Sequence, residues 1–477
     1  MAPAYRSLTR LWPLPAVLAI GLFFWSSGQF SFIEASLLLL CFVCAYCCVR
    51  PHIGKRCPDN LMVVVATSIF MVAYVAQSIL YLKTARSAAT SLGEAISIRS
   101  IFSLSALGAA PAEIERSLLV VLVGFLGILA ASLCLGRVSR NPPGMAVAVT
   151  APASMLVISN PVTLGYAAIL CTVLFGFLRK LFGLESPTAS GLPMGLGGLI
   201  NIANAYIGPN LACAAFFFAL HQGNAAKARK LALILVGLGL YNYILFTSKL
   251  SLIFPVLFLL ICQYLLQRRV ASMRTLLLMG GVFVIAYPFL NLYRSAIALG
   301  IAPGDLIAAI AKMYASERAA SDFNHSALEV AVSAILGRFV GYDPLMILLQ
   351  AKPYPGSLVE YLLYGNLDKF LTYDILDFQD PMGYSPGFLG RFYYVSRSFT
   401  YLFMMTAGTV LMLSAAIRRF WHGNVRLKFI APLLLTYCLI FFTDGLRFEL
   451  IRSLVLSTVA IYFFLRVAAK LRPVAVE

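Results

Sequence analysis

The chain has 477 residues, 61% of them hydrophobic and only 12% charged, where a soluble globular domain carries about 25% charged residues. Its formal net charge is +18. This composition excludes an ordinary soluble enzyme, and no zinc-finger spacing or RNP-like motif turns the basic excess into a nucleic-acid signature.

From the N-terminus, Arg6 to Arg10 precede an apolar run from Leu11 to Trp25, bracketed by Trp12 and Trp25. No small-x-small cleavage site precedes Phe30, so the run reads as an uncleaved first span. Further apolar stretches follow at 31–49, 61–82, 117–136, 162–178, 192–220, 231–246, 250–267 and 274–292. After a polar interval, three more occupy 398–417, 428–443 and 449–467. The expected fold is therefore all-α: a polytopic integral membrane protein of about twelve transmembrane helices. It divides into N-terminal spans (1–292), a long and partly helical loop (293–396), and C-terminal spans (397–477).

With the N-terminus in the cytoplasm, the stretch from Arg50 to Arg56, the pair Arg137 and Arg140, Lys227 to Lys230, Arg268-Arg269 and Arg418-Arg419 all fall inside. So do Lys470 and Arg472, which places both termini in the cytoplasm by the positive-inside rule. The uncharged stretch 143–158 is expected as an interfacial or cytoplasmic-facing segment, and residues 83–116 and 293–396 then face outward. The alternative is that 143–158 crosses, which makes Arg179-Lys180 cytoplasmic and splits 192–220 at Gly208-Pro209.

The long loop is not low-complexity. A helix is expected after Pro303 over 303–315, a capped helix begins at Ser326 with Glu329 in the capping box, and 357–371 gives a third. These are expected to lie along the bilayer surface. Gly383 to Gly390 reads as a turn leading back into the membrane.

Outward-facing cations recur at one interfacial level: Arg294, Arg338, Arg391, Arg397, Lys249, Arg447 and Arg452. Guanidinium forks match phosphate oxygens bidentately and an ammonium adds a compact charge. These groups suit a lipid-linked phosphate, and equally ordinary headgroup anchoring. Glu329 and Asp343 are the candidate bases for activating a hydroxyl; helix capping by Glu329 and an Arg338–Asp343 ion pair are the structural alternatives. The acidic run Asp374, Asp377 and Asp380 is cut by Pro381 and reads as a solvated turn, so no metal site is expected. The cysteines Cys41, Cys44, Cys47 and Cys48 lie within an apolar run and read as small buried residues. No P-loop, Rossmann fingerprint or Ser-His-Asp arrangement occurs.

Three stretches, Thr247 to Ser251, Gly337 to Asp343 and Gly383 to Gly390, together with the late outward loop, resemble the bacterial O-antigen and oligosaccharide repeat-unit polymerases. That resemblance implies an inner-membrane glycosyltransferase acting on undecaprenyl-diphosphate-linked glycans at the periplasmic face. It implies diphosphate binding by Arg338 and by Lys249, where an Arg is expected in relatives. Arg294, Arg391 and Arg452 join them on the physical argument alone. Asp343 or Glu329 would activate the acceptor hydroxyl. No cofactor is expected, because the diphosphate is itself the leaving group. Membrane lipids and a polysaccharide chain-length regulator are the expected partners. The competing expectations are a lipid-linked oligosaccharide flippase or other transporter, and an O-antigen ligase. The ligase is disfavoured because Asn324-His325 reverses the usual His-Asn order and lies early in the loop.

Overall fold

The computed structural model describes residues 30–52, 58–79, 82, 111–138, 161–182, 196–246, 250–270, 342–350, 387–444 and 448–470, with isolated positions at 293, 305, 307–309, 311 and 312. No strand occurs among them. The helices are α1 (Phe32–Val49), α2 (Pro58–Phe70), α3 (Pro111–Val138), α4 (Pro161–Leu181), α5 (Leu196–Ile202), α6 (Gly208–His221), α7 (Ala225–Phe246) and α8 (Leu250–Leu266). Then come α9 (Tyr342–Gln350), α10 (Gly387–Ser396), α11 (Phe399–His422), α12 (Ile430–Asp444) and α13 (Phe448–Lys470). Two π-helical turns interrupt the pattern: Met71–Ala76 extends α2, and Ala203–Ile207 joins α5 to α6.

Among the described residues, seven helical segments are long and apolar enough to cross a membrane, from Phe32–His52 to Phe399–His422. Ile253–Leu266 and Leu454–Phe464 are shorter apolar helices. Helices are the natural form here, since lipid offers no partner for an open backbone N–H or C=O. The outward faces carry large apolar side chains, with Leu170 67% and Phe177 60% exposed on α4 and Phe463 68% exposed on α13. Such faces suit acyl chains. The expected first span, the span at 274–292 and the stretch 143–158 lie outside the described residues.

Two groups of helices make the bundle. In the first, α3 packs on α1 and α11, while α2 packs on α11 and α12. In the second, α6 packs on α4 and α7, and α7 on α8. Contacts of α12 with α8 and α6 join the groups. Small residues set the closest crossings, as packing in lipid favours. A Cβ on Gly127 of α3 would meet Thr406 Cβ of α11 at 2.9 Å. Pro255 within α8 brings no N–H to the Ser251 carbonyl, and Gly239 of α7 sits directly against that carbonyl.

Helix ends sort by charge. Arg268 donates to the Leu220 and His221 carbonyls, both at 2.7 Å, and Trp421 meets Phe217 edge-on at 6.4 Å. These contacts bring the ends of α6, α8 and α11 together, with Arg268, Arg269, Arg418 and Arg419. The Lys230 ammonium donates to the Tyr166 hydroxyl at 2.6 Å, so α4 and α7 start at this same end. His52, just beyond Arg50, is 2% exposed and lies 2.6 Å from Asn60 Oδ1 and 2.8 Å from Ser132 Oγ. The Asn60 amide oxygen can only accept, so His52 Nδ1 donates to it, and Ser132 Oγ lies between His52 Nε2 and the Cys48 carbonyl, 3.1 Å away. A residue of the expected basic loop is thus a buried clamp between α1, α2 and α3.

Within 293–396, the described residues include the helices α9 and α10. Gly383 to Gly390 does not form only a turn: α10 begins at Gly387 and runs to Ser396. Gly387, at φ +66°, opens the helix, and Gly390 lets it approach α9, where a Cβ would sit 3.1 Å from Leu348. α9 and α10, which are not among the expected helices of this stretch, are buried. Tyr342, Leu345, Met346, Ile347 and Leu348 are buried, as is every residue from Gly387 to Tyr394. These two helices are apolar nearly all round, which selects an interior position over an interfacial one. Positions 307–309, 311 and 312 are helical, within the expected 303–315. The capped helix and 357–371 lie outside the described residues.

Gly208 of α6 lies against Thr172 of α4 so tightly that a Cβ there would overlap the Thr172 hydroxyl, whereas Gly198 faces open space. Gly208→Ala should destabilise the purified protein by about 1–3 kcal/mol, while Gly198→Ala should be neutral or stabilising. Thermal unfolding in detergent checks the contrast; equal melting temperatures for the two variants would contradict this packing.

Candidate functional site

The end opposite the basic clusters is organised around α10. Phe70 at the end of α2 is a ring hub, with centroids 5.2 Å from Tyr74, 5.7 Å from Phe125, 5.8 Å from Phe388 and 5.6 Å from Phe442. Those rings come from the π turn of α2, from α3, α10 and α12. Tilted and edge-on arrangements at such spacing add to the burial energy. The first N–H groups of a helix lack intrahelical acceptors. Here the Leu389 N–H donates to the Tyr74 hydroxyl at 2.9 Å. The π turn thereby places Tyr74 as a cap for α10.

Arg391 is on this helix and only 4% exposed. A guanidinium is rarely buried unless something repays its desolvation. Within the next turn, Tyr393 and Tyr394 hold two more cations. Arg116, near the start of α3, donates from Nε to the Tyr393 hydroxyl at 2.9 Å, with its guanidinium carbon 5.7 Å from that ring's centroid. Its two Nη groups make no bond to a described residue. The Arg397 guanidinium lies 4.9 Å from the Tyr394 centroid.

Arg397 also joins three helices. Its Nη2 donates to the Leu348 carbonyl at 3.0 Å and its Nη1 to the Leu349 carbonyl at 3.3 Å. These are last-turn carbonyls of α9, where a cation complements the helix dipole. Its own backbone has φ +52°, the left-handed conformation, which turns the chain from α10 into α11. The Ser398 hydroxyl then caps α11 by accepting from the Tyr401 N–H at 3.3 Å. Burial pushes the Arg397 guanidinium below its ordinary value, the Arg116 charge pushes the same way, and the Tyr394 and Tyr393 hydroxyls oppose both. Arginine remains a cation at neutral pH regardless. Arg116 and Arg397 therefore sit close enough to repel one another, an arrangement that an anion would stabilise.

A hydroxyl pair completes the wall. The Ser117 hydroxyl donates to the Ile114 carbonyl at 2.6 Å, so Tyr342 donates to Ser117 Oγ at 2.6 Å. This bond fixes the first residue of α9 on α3. Asp343 follows immediately, in the first turn of α9; its side chain lies outside the described residues, as does that of Arg452 in the first turns of α13. Arg294, Arg338, Glu329 and Lys249 lie outside them entirely. Their neighbours are informative for two: Tyr293 donates from its hydroxyl to the Ile244 carbonyl at 3.1 Å, and α7 ends at Phe246 with α8 starting at Leu250. Positions 249 and 294 thus adjoin described residues at the end of α7 away from the basic clusters.

Of the cations expected from sequence, Arg391 and Arg397 have side chains among the described residues of this end. Arg116, Tyr393, Tyr342 and Tyr74 carried no sequence signal. Arg116 and Tyr393 are 277 positions apart. Among the described residues, no three His, Cys, Asp or Glu side chains gather in a metal-binding group. No family model matches the chain, and no curated protein or solved structure matches it.

The double role of Arg397 makes a graded prediction. Arg397→Ala loses the α9 cap and keeps the left-handed strain, costing about 1–3 kcal/mol. Arg397→Gly loses the same cap but relieves the strain, and should recover about 1 kcal/mol. Melting temperatures should rank wild type above Gly above Ala; Ala at or above Gly would contradict the backbone role.

Proposed function

We propose that this protein is a membrane glycosyltransferase that polymerises undecaprenyl-diphosphate-linked oligosaccharide repeat units into O-antigen or a related surface polysaccharide. The observation that carries this reading is the gathering of Arg116, Arg391 and Arg397 at the end of the bundle opposite the basic helix ends. In this reading the basic end is cytoplasmic, the membrane is the bacterial inner membrane, and the Arg end faces the periplasm. About twelve spans and an outward loop over 293–396 complete the topology.

The donor is the growing glycan on its lipid diphosphate, and the acceptor is the terminal sugar hydroxyl of a new lipid-linked unit. The bond between the donor's anomeric carbon and the diphosphate breaks as the same carbon bonds the acceptor oxygen. Undecaprenyl diphosphate leaves, and the acceptor proton passes to a carboxylate. Arg116 and Arg391, with Arg338, Arg294, Lys249 and Arg452, stabilise the charge developing on the leaving diphosphate. Asp343 or Glu329 takes the proton. Asp343 is favoured by position, since α9 packs directly on the helix that carries Arg391. A chain-length regulator in the same membrane would set how many additions occur.

Deleting the gene should leave surface glycans capped with a single repeat unit, read as a collapsed ladder on a gel. Arg116→Ala, in a chain that still reaches the membrane at normal level, should slow elongation about 100-fold, with Arg116→Lys intermediate because it keeps charge but loses the fork. Long chains in the deletion strain would end this proposal.

A further inference from the structure

Many cations of the basic end come from two stretches that contain no acidic residue. No Asp or Glu occurs from Ser186 to Gly304 or from Pro381 to Thr443. These two stretches supply all of α5 to α8, α10, α11 and most of α12. Their cations meet where the ends of α6 and α8 approach the start of α12.

Arg268, just past the end of α8, is at the centre of that junction. Its Nη1 spends both hydrogens on the last carbonyls of α6, Leu220 and His221, each at 2.7 Å. Gly223 makes this possible. Its φ is +81°, and a Cβ there would lie 2.7 Å from Nη1. The other edge of the guanidinium, Nε with Nη2, has no bond to a described residue, and Arg268 is exposed. That edge presents two parallel N–H groups, the geometry that grips two oxygens of one phosphate.

Two further groups face the same place. The His221 ring stacks on Phe217 with centroids 5.8 Å apart and planes 9° apart, and both Arg268 and Lys428 lie close enough for their charges to act on it. Lys428 precedes α12 and makes no side-chain bond to a described residue. Beneath this rim the core is aromatic: half-buried Trp421 lies edge-on to buried Phe217, and buried Phe218 meets buried Phe429 at 5.9 Å. Tyr264, one turn before Arg268 on α8, is 44% exposed. Aromatic residues at the ends of spans mark the headgroup level. Cations flanked by exposed Tyr264 and half-buried Trp421 at that level fit an amphiphile with an anionic head, not a fully hydrated ion.

The geometry points to a binding site for the phosphate of an anionic phospholipid, gripped by the free edge of Arg268 and by Lys428 and His221. This site is at the opposite end from the proposed glycan chemistry and does not depend on it. Binding there would hold α6, α8 and α12 together through a shared headgroup.

Full-length protein purified in mild detergent and exchanged into nanodiscs of mixed phosphatidylglycerol and phosphatidylcholine provides the test, with native mass spectrometry counting retained lipid. Wild type should retain phosphatidylglycerol selectively. Lys428→Gln should weaken that retention about fivefold, as should Arg268→Gln. Gly223→Ala should do so while keeping every charge, by displacing Arg268. Lys180→Gln, at the other end of the bundle, should change nothing. Since the Lys428 side chain makes no bond to a described residue, its variant separates lost binding from lost folding. The proposal is overturned if Lys428→Gln and Gly223→Ala retain phosphatidylglycerol like wild type, if phosphatidylcholine is held equally well, or if millimolar inorganic phosphate strips the lipid and marks a free-anion site.

Discussion

The end of the bundle that carries Arg391 depends on how α10 is held. This helix has 10 residues, too short to span a bilayer, yet its residues from Gly387 to Tyr394 are buried among α3, α9, α11 and α12. A guanidinium kept in such a place is costly in any apolar surrounding. The Phe70 ring hub offsets part of that cost by anchoring Phe388, and the Tyr74 hydroxyl satisfies the Leu389 N–H. At the other end, Arg397 fastens α10 and α11 to the last carbonyls of α9. The buried cation, the aromatic knot and the cap form one unit.

Hydropathy made the bundle readable. The expected stretches 31–49, 117–136 and 398–417 correspond to α1, α3 and α11, because lipid demands long apolar runs and little else in the chain produces them. The expected burial holds for Cys41, Cys44 and Cys48, as thiols in an apolar helix behave like small hydrophobes, while Cys47, on another face of the helix, is exposed. What hydropathy could not convey was partnership. Gly383 to Gly390 has the composition of a turn, and only contact with Leu348 and Leu345 reveals Gly390 as a packing residue. His52 has the context of a basic loop, and only Asn60 and Ser132 make it a buried clamp. Arg116 looks like one more interfacial cation until α3 and α10 bring it to Tyr393.

The two ends of the molecule treat positive charge differently. At the basic end, cations decorate helix termini and cap carbonyls, as Arg268 does for α6. At the other end tyrosines hold them: Arg116 by Tyr393, Arg397 by Tyr394. A tyrosine partner orients a guanidinium without neutralising it, in contrast to a carboxylate. Such a cation keeps its full charge for an arriving anion, which is what a leaving diphosphate would need.

Reconstitution separates catalysis from mere transport. Purified protein in vesicles, supplied with lipid-linked repeat units on the side facing α10, should join them into longer chains and release one undecaprenyl diphosphate per bond formed. Transbilayer movement of intact repeat units, with no elongation and no released carrier, would contradict the account and identify a flippase.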